Sequence, residues 1–543
     1  MTAAASHDRR WLILLVLCLS VFLVVVDNTI VNVALPTLSR HLGASTTSLQ
    51  WIVDAYSLAF AGLLLAGGGI GDRLGRKGVM QVGLVFFGIF SAAAAESHTT
   101  GSLIAARALM GVAAAFIFPA TLAILTTIFT DHSERQKALG IWGATSGIAV
   151  AFGPITGGAL LEHFWYGSIF LVNLPIVVIT LVSGHFLIPK LEAEVRHRFD
   201  TRGVLISTAG VTLLVLAIIE GPQWGWASVR TLACFAVAAG LLAVFTVVEL
   251  HTEKPLLDVR VFTIPRFTAG AVSIAVAFFC LFGFIFLITQ YFQFVKGYST
   301  LSAGVHTLPF AIVAAIFTPI GAVMALKVGA RLVVGVGLLL MAAGLLMAGF
   351  TSTPHAAFFG PIIISMVLLS LGLSAITAPA TEAVMGALAA DQIGAGAAVN
   401  NTTRELGGTL GVAALGSVFA SAYAPKITKA FAPYPIPRAA KQAAHESVAA
   451  ALAVVSHAPS AVQPLLRAAT FTGFGAGLKI ACIVGAGVAI VGAVNALRFL
   501  PGRRERDTLT EPDTGASSTQ QPPISSAALM PDPVRIGLLP RTQ

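Results

Sequence analysis

Charge is scarce in this sequence. Only 10% of its 543 residues are Asp, Glu, Lys or Arg, 56% are hydrophobic, and the mean hydropathy is +0.86. A soluble domain carries charge on roughly 25% of its residues. That class is excluded, and an all-α, polytopic transmembrane protein is left. Cysteine is nearly absent. Cys18, Cys234, Cys280 and Cys482 each sit in an apolar run, which gives neither a disulfide framework nor metal-ligand spacing. The twelve histidines are scattered, so no metal and no cofactor enter the reading. No small-residue cleavage site follows the apolar run 11–26, which makes it the start of an uncleaved first span and not a signal peptide. The net charge of +9 would suggest nucleic acid in a soluble protein. Here it reflects Lys and Arg in the loops of one membrane face, and no nucleic-acid partner is expected.

What is present is a series of apolar runs, each near the ~20 residues a helix needs to cross a bilayer. They lie at about 11–34, 49–70, 79–95, 101–126, 139–161, 168–188, 203–220, 229–250, 267–289, 301–325, 331–350, 356–380, 404–423 and 475–499. Arg9/Arg10, Arg73/Arg76/Lys77, Arg135/Lys137, Lys190 to Arg202, Lys254/Arg260/Arg266, Lys327/Arg331 and Arg503/Arg504/Arg506 all fall on one face. By the positive-inside rule that face and both termini are cytoplasmic, which requires an even number of spans. The segment 424–471 is Ala-rich and reads as a long outer loop able to carry amphipathic helices. The tail 501–543 is polar and rich in Pro, Ser and Thr, a composition that predicts disorder.

Several spans carry groups that an anchor does not need. Arg107 lies inside the fourth run, with Gly111 one turn along the same face. Gly153-Pro154-Ile-Thr-Gly157-Gly158 lies inside the fifth. A charge in the bilayer costs at least ~2.5 kcal/mol, so it should face the bundle interior and have a partner. A Gly/Pro cluster allows close helix approach and a kink. In the first run Asp27 lies ~24 Å along the helix, and Asn28 and Asn32 share a face. Asp27 is either a pathway group or an acid near a helix end reaching for water. Asp54 has the same two readings, and Trp51 and Tyr56 suit an interfacial belt, as do Trp224 and Trp226. Glu220 and Glu249 read as interfacial. Gly68-Gly-Ile-Gly71-Asp72-Arg73-Leu-Gly75-Arg76-Lys77 is either a positive-inside anchor or a tight turn whose Asp72 and arginines latch one face.

Together these residues resemble the major facilitator superfamily. Gly68–Lys77 looks like its loop signature between helices two and three, Arg107…Gly111 its fourth-helix signature, and Gly153-Pro154-x-x-Gly157-Gly158 its fifth-helix antiporter signature. Asp27-x-Thr29-Ile-Val-Asn32-Val-Ala-Leu-Pro36 is similar to the first helix of the fourteen-span drug:proton antiporters of the EmrB/QacA type. So are Tyr291-Phe-Gln293…Gly297-Tyr298…Ala303-Gly304…Pro309 and Arg404-Glu-Leu-Gly407-Gly408. The resemblance covers about 10–500. Met110 stands where the family usually has Gln. Tyr166-Gly167-Ser168 replaces a Trp-Arg-Trp, and the second-half loop copy, 321–331, has no acid.

The resemblance implies two six-helix bundles, 11–190 and 267–500, with two linker helices at 203–250 between them and a short tail, 1–10, before them. Substrate is then held near the midplane and exchanged by rocking of the bundles. Proton coupling falls to Asp27, Arg107, Asp54, Glu382 and Glu405, and substrate contact to Asn28, Asn32, Tyr56, Tyr291, Gln293 and Asn401. Gating falls to Gly68, Asp72, Arg73, Gly75, Arg76, Gly111, Gly153, Pro154, Gly157 and Gly158. The expected function is not enzymatic. It is proton-driven export of amphipathic or lipophilic compounds from a bacterial cytoplasmic membrane, by a monomer in contact with lipid. The alternatives are a dedicated carrier of a lipid, siderophore or cell-wall precursor, and a membrane sensor that transports nothing. Asp27 and Arg107 are the opposite charges nearest in depth. Either they form a static ion pair, or rocking separates them and Asp27 then takes up a proton.

Overall fold

In the computed structural model, residues 7–189, 200–252, 259–388 and 393–502 are described. Nearly all of the polar tail, for which disorder is expected, lies outside them. Bilayer-spanning backbone must satisfy its own polar groups, and a continuous helix does so. The apolar runs accordingly become α1 (His7–Leu42), α2 (Thr46–Leu74), α3 (Arg76–Ala95), α4 (Thr100–Ile128) and α5 (His132–His163). α6 (Ser168–Leu171) and α7 (Asn173–Leu187) together make the sixth span, and α8 (Thr201–Trp224) and α9 (Val229–His251) the linker pair. Then come α10 (Pro265–Gln290) with a π-helical turn, Tyr291–Val295, followed by α11 (Thr300–His306) with α12 (Leu308–Val328). α13 (Ala330–Thr351), α14 (Ile363–Met385), α15 (Ile393–Phe431), α16 (Arg438–Glu446), α17 (Val448–His457) and α18 (Gln463–Phe499) complete the order. Thirteen of the described helical segments are long and apolar enough to cross a membrane. α2 makes a fourteenth, its pieces Thr46–Leu64 and Ala66–Leu74 meeting at 53°.

Polar caps fix where helices start. Ser45 accepts from the Ser48 backbone and Asp131 from that of Glu134, and Thr99 with Ser102 forms a reciprocal capping box. Each satisfies donors that a helix start leaves unpaired. The Asp131 cap explains one difference from the sequence reading. The stretch 132–137, whose Arg135 and Lys137 the sequence reading placed in a loop, opens α5, and Arg10 of α1 pairs with Glu134 there at 3.2 Å. Gly75 (φ 97) and Gly329 (φ 99) make the tight reversals α2–α3 and α12–α13, at a backbone angle that favours glycine. The segment 424–471, read as a loop able to carry amphipathic helices, is largely helical. α15 runs on to Phe431, α18 starts at Gln463, and α16 and α17 fill most of the interval. Their Ala-rich sequence suits helix more than coil.

α1 is the most enclosed span and packs on α5, α4 and α7; α2 and α3 pack on α4. In the second half α10 packs on α14, α15 and α18, and α13 on α14 and α18. α8 lies against both α2 and α15, and α9 lies mainly against α8. One end of the molecule gathers the cations, here termed the basic end. There Arg9 donates to the Phe186 carbonyl, and Lys77 donates to the carbonyls of His185 (2.7 Å) and Ile188 (2.5 Å). The two halves are tied together at the other end. Gln293 donates to the Val33 carbonyl (2.8 Å), Gln50 to that of Ala413 (2.8 Å), Thr300 to that of Gly158 (3.0 Å), and Thr46 to that of Glu446 (3.0 Å).

Candidate coupling and gating site

Asp27 and Arg107 meet. Both are fully buried, and an Arg107 guanidinium nitrogen donates to Asp27 Oδ2. The carboxylate's other oxygen accepts from Asn173 Nδ2 of α7 at 2.8 Å, and the same amide reaches Ser91 Oγ of α3 at 3.0 Å. Arg107 has two more partners, both from α2. Its Nε donates to the Ile52 carbonyl (3.3 Å), and its guanidinium carbon lies 4.2 Å from the centre of the Tyr56 ring. Tyr56 is held in place by its hydroxyl, which donates to the Val24 carbonyl of α1 at 3.1 Å. Each charge is therefore compensated, which is what an intramembrane ion pair requires. Five helices contribute to one polar knot. Arg107 Nη2 and Asn173 Oδ1 are the polar atoms of this knot with no hydrogen-bond partner.

Gly111 explains how Tyr56 comes so close. A Cβ at Gly111 would collide with the Tyr56 carbonyl, so this glycine lets α4 lie on the α2 backbone. Met110, where the resembled family has Gln, is fully buried and adds no polar group to the knot. Tyr56 is thus neither interfacial nor facing a substrate, as the sequence suggested. Trp51, one turn nearer the helix start, donates instead to Glu220 of α8 at 3.0 Å. Trp226 is exposed and donates to Ser421 at 3.2 Å. Glu249 is buried, contrary to its interfacial reading.

Asp54 is fully buried, and neither carboxylate oxygen has a hydrogen-bond partner. The reading of a solvated acid therefore fails. Glu405 is half-buried on α15, beside Arg404, whose guanidinium lies over Phe278 at 5.4 Å. Glu382 is exposed, so it does not belong with the buried acids. It lies in the last turn of α14, beyond the point where hydropathy alone can say which face is covered.

Residues next to Asp27 on α1 touch the glycines of α5. A Cβ at Gly153 would collide with Thr29 Oγ1, and one at Gly157 would stand 2.7 Å from Ile30 Cγ1. On its other side α5 meets the second half. A Cβ at Gly158 would stand 2.7 Å from the Leu301 Cα, and one at Gly304 would collide with the Pro154 carbonyl. α5 is thus clasped between α1 and α11 with no side chains in between. Gly304, Thr29 and Ile30 belong to this close-packed contact, and the sequence reading did not single them out. They lie within its quoted motifs, which was the signal available.

Asn28 and Asn32 are buried one turn apart, Asn32 donating to the Asn28 carbonyl at 3.3 Å, and both side-chain oxygens lack a partner. Asn32 lines a cavity of about 40 Å³ between the halves, with Pro154, Thr289 and Thr307. Gln293 is used by its bond to Val33. Tyr291 does not line this cavity, and its hydroxyl donates to the Thr353 carbonyl at 2.7 Å. Asn401 is half-buried on α15.

At the basic end, Asp72 pairs with Arg76 (2.9 Å), and not with Arg73, which is exposed. Four residues separate Asp72 and Arg76 across the Gly75 turn. Arg76 continues to Thr127 Oγ1 of α4 at 2.7 Å. Gly68 and Gly71 have room for a Cβ, whereas Gly67 lies directly on the Ala115 backbone. Gly67, one residue before this motif, is therefore the glycine that lets this end of α2 meet α4.

Comparison with known proteins gives a consistent result. The family profile described as Major Facilitator Superfamily matches residues 17–412. The multidrug efflux pump LfrA of Mycolicibacterium smegmatis is 34% identical over 488 residues, covering 90% of this chain and 96% of that protein. The methyl viologen resistance protein SmvA of Salmonella typhimurium is 36% identical over 425 residues, covering 77% and 84%. Among solved structures, a bacterial homologue of the human lysosomal transporter Spinster superposes with a TM-score of 0.62. It is 16% identical and matches across 91% of this chain and 99% of that one, a likeness of fold.

Proposed function

The chain belongs to the Major Facilitator Superfamily, and from that premise we propose that it is a proton-driven exporter of amphipathic and lipophilic compounds, cationic drugs among them. It works by alternating access, as a monomer in a bacterial cytoplasmic membrane, with both termini in the cytoplasm. Its relatives are named for multidrug efflux and for resistance to methyl viologen, a small dication. The observation that carries the proton coupling is the fully buried Asp27–Arg107 pair, with Asp27 two and three residues along α1 from Thr29 and Ile30.

A proton arriving on Asp27 cancels its charge and removes the ionic part of the bond to Arg107. The guanidinium is not stranded, because Ile52 and the Tyr56 ring still hold it. What loosens is the hold of α4 and α7 on α1. The same turn of α1 carries Thr29 and Ile30, which rest on Gly153 and Gly157. Any shift of α1 is therefore transmitted to α5, and through Gly158 and Pro154 to Thr300 and Gly304 of the second half. Packed interfaces of this kind hold discrete arrangements and resist intermediate ones. The proton and the far-end seal are linked across about one helical turn. Asp54 is a second place for a proton, since an ionised carboxylate with no donor is costly to bury. Asn28 and Asn32 offer unpaired carbonyl oxygens to a cationic or N–H-bearing cargo.

The test is transport by the purified protein in liposomes with an imposed pH gradient. Methyl viologen should accumulate against its own gradient and collapse to equilibrium when a protonophore dissipates the pH difference. Accumulation indifferent to the protonophore would remove proton coupling.

A further inference from the structure

Two of the seams between the halves are built differently. One is between α2 and α15. Here Gln50 reaches into α15, and Leu58, Val215, Ile219 and Ala413 form an apolar cluster shared by α2, α8 and α15. α8 lies across this seam. Gln223 donates to Thr47 Oγ1 (2.9 Å), Trp51 to Glu220 (3.0 Å) and Thr208 to the Gly62 carbonyl (3.2 Å). From Thr47 to Gly62 that is about 22 Å of helix.

The other seam is between α5 and α12. Its end far from the basic clusters is closed by the Gly158–Thr300 and Pro154–Gly304 contacts. From there towards the basic end it has no such cover among the described residues. α5 leaves Ile141, Ile148 and Phe152 exposed, and α12 leaves Ile312, Ile316 and Ile320. A Cβ at Gly140, Gly143 or Gly147 would meet nothing within 4 Å. Ala151 and Ala311 stand at the inner edge of this seam and line the cavity that holds Asn32. Asn32 is 1% exposed, and its Oδ1 is unpaired.

We propose that lipophilic cations enter sideways from the bilayer leaflet at the basic end, through the α5–α12 seam to Asn32, while α8 closes the α2–α15 seam against the same traffic. This rests on the export reading above. The chemistry suits such a cargo. The aliphatic walls of the seam accept an alkyl chain from the leaflet at little desolvation cost. At its inner end an unpaired amide oxygen gains a partner from a cation or an N–H group. The linker helices then have a purpose beyond joining the halves: they make access one-sided.

The probe is an alkyl triphenylphosphonium carrying a diazirine, photolysed with the full chain in liposomes without a pH gradient, so that labelling does not depend on transport. The expected result is saturable label on the α1 segment around Asn32. Gly147→Trp and Ala315→Trp stand one turn from Ala151 and Ala311 on the same faces, at the rim of the seam. In these variants the label should disappear. Val237→Trp, on the exposed face of α9, should retain it. Methyl viologen, which comes from water, should still be exported by the rim variants. Label at Asn32 that survives both rim variants would overturn the proposal, as would saturable label on α8 in its place. Failure of pH-driven export by the wild type, with the labelling pattern intact, would count against the export reading and leave the route standing.

Discussion

At the residue scale, the polar knot around Arg107 is the feature most dependent on single groups. Asn173 supplies the second bond to Asp27. Asn173→Ala should cost about 1–3 kcal/mol, the usual effect of leaving a buried acceptor unpaired. The thermal midpoint should fall, and the pH dependence of transport should move. An unchanged pH profile would make Asn173 a packing residue only. Arg107→Lys keeps the charge but lacks the planar fork that bonds Ile52 and stacks on Tyr56 together. It should fold and bind substrate, with weakened gradient-driven export, measured as the ratio of uphill uptake to equilibrium binding. Asp27 and Arg107 were legible in the sequence because a charge inside an apolar run demands a partner. Tyr56 was not, because an aromatic near a helix start looks the same whether it meets headgroups or a guanidinium. Glu382 was misplaced for a related reason: hydropathy gives depth in the membrane but not the face of the helix.

At the element scale, α5 is the helix that the glycine contacts clasp between the halves. Gly157→Leu and Gly304→Leu should abolish export while protein still inserts and folds, because each puts a side chain where a neighbouring backbone or side chain already lies. Gly140→Leu, also on α5 but in open space, should retain activity. Parallel export assays on the three separate gating from general loss of stability, and normal export by Gly157→Leu would remove the sealing role. At the opposite end, Asp72→Asn breaks the pair with Arg76 and should slow turnover with little change in substrate affinity. Span number and order were legible because lipid forces every crossing segment to be a long apolar helix. Helix ends were less so. α5 begins inside a charged stretch, and α15 continues past its apolar core to Phe431. Caps and Ala-rich runs set these limits, and hydropathy does not register either.

At the scale of the whole molecule, the basic end gathers loops from both halves, while the bonds between the halves gather at the other end. With the basic end cytoplasmic, a reporter active only outside the cytoplasm and fused after Gly502 should stay silent. A strong signal would reverse the orientation of every gate described above. The central claim is that one buried acid links the proton gradient to the movement of the halves. The most direct measurement is uphill export by purified Asp27→Asn in liposomes with an imposed pH gradient, beside equilibrium binding of the same substrate. The expected result is a folded protein that binds substrate but does not concentrate it. Gradient-dependent accumulation by Asp27→Asn at the wild-type rate would contradict it and shift coupling to Asp54 or Glu405.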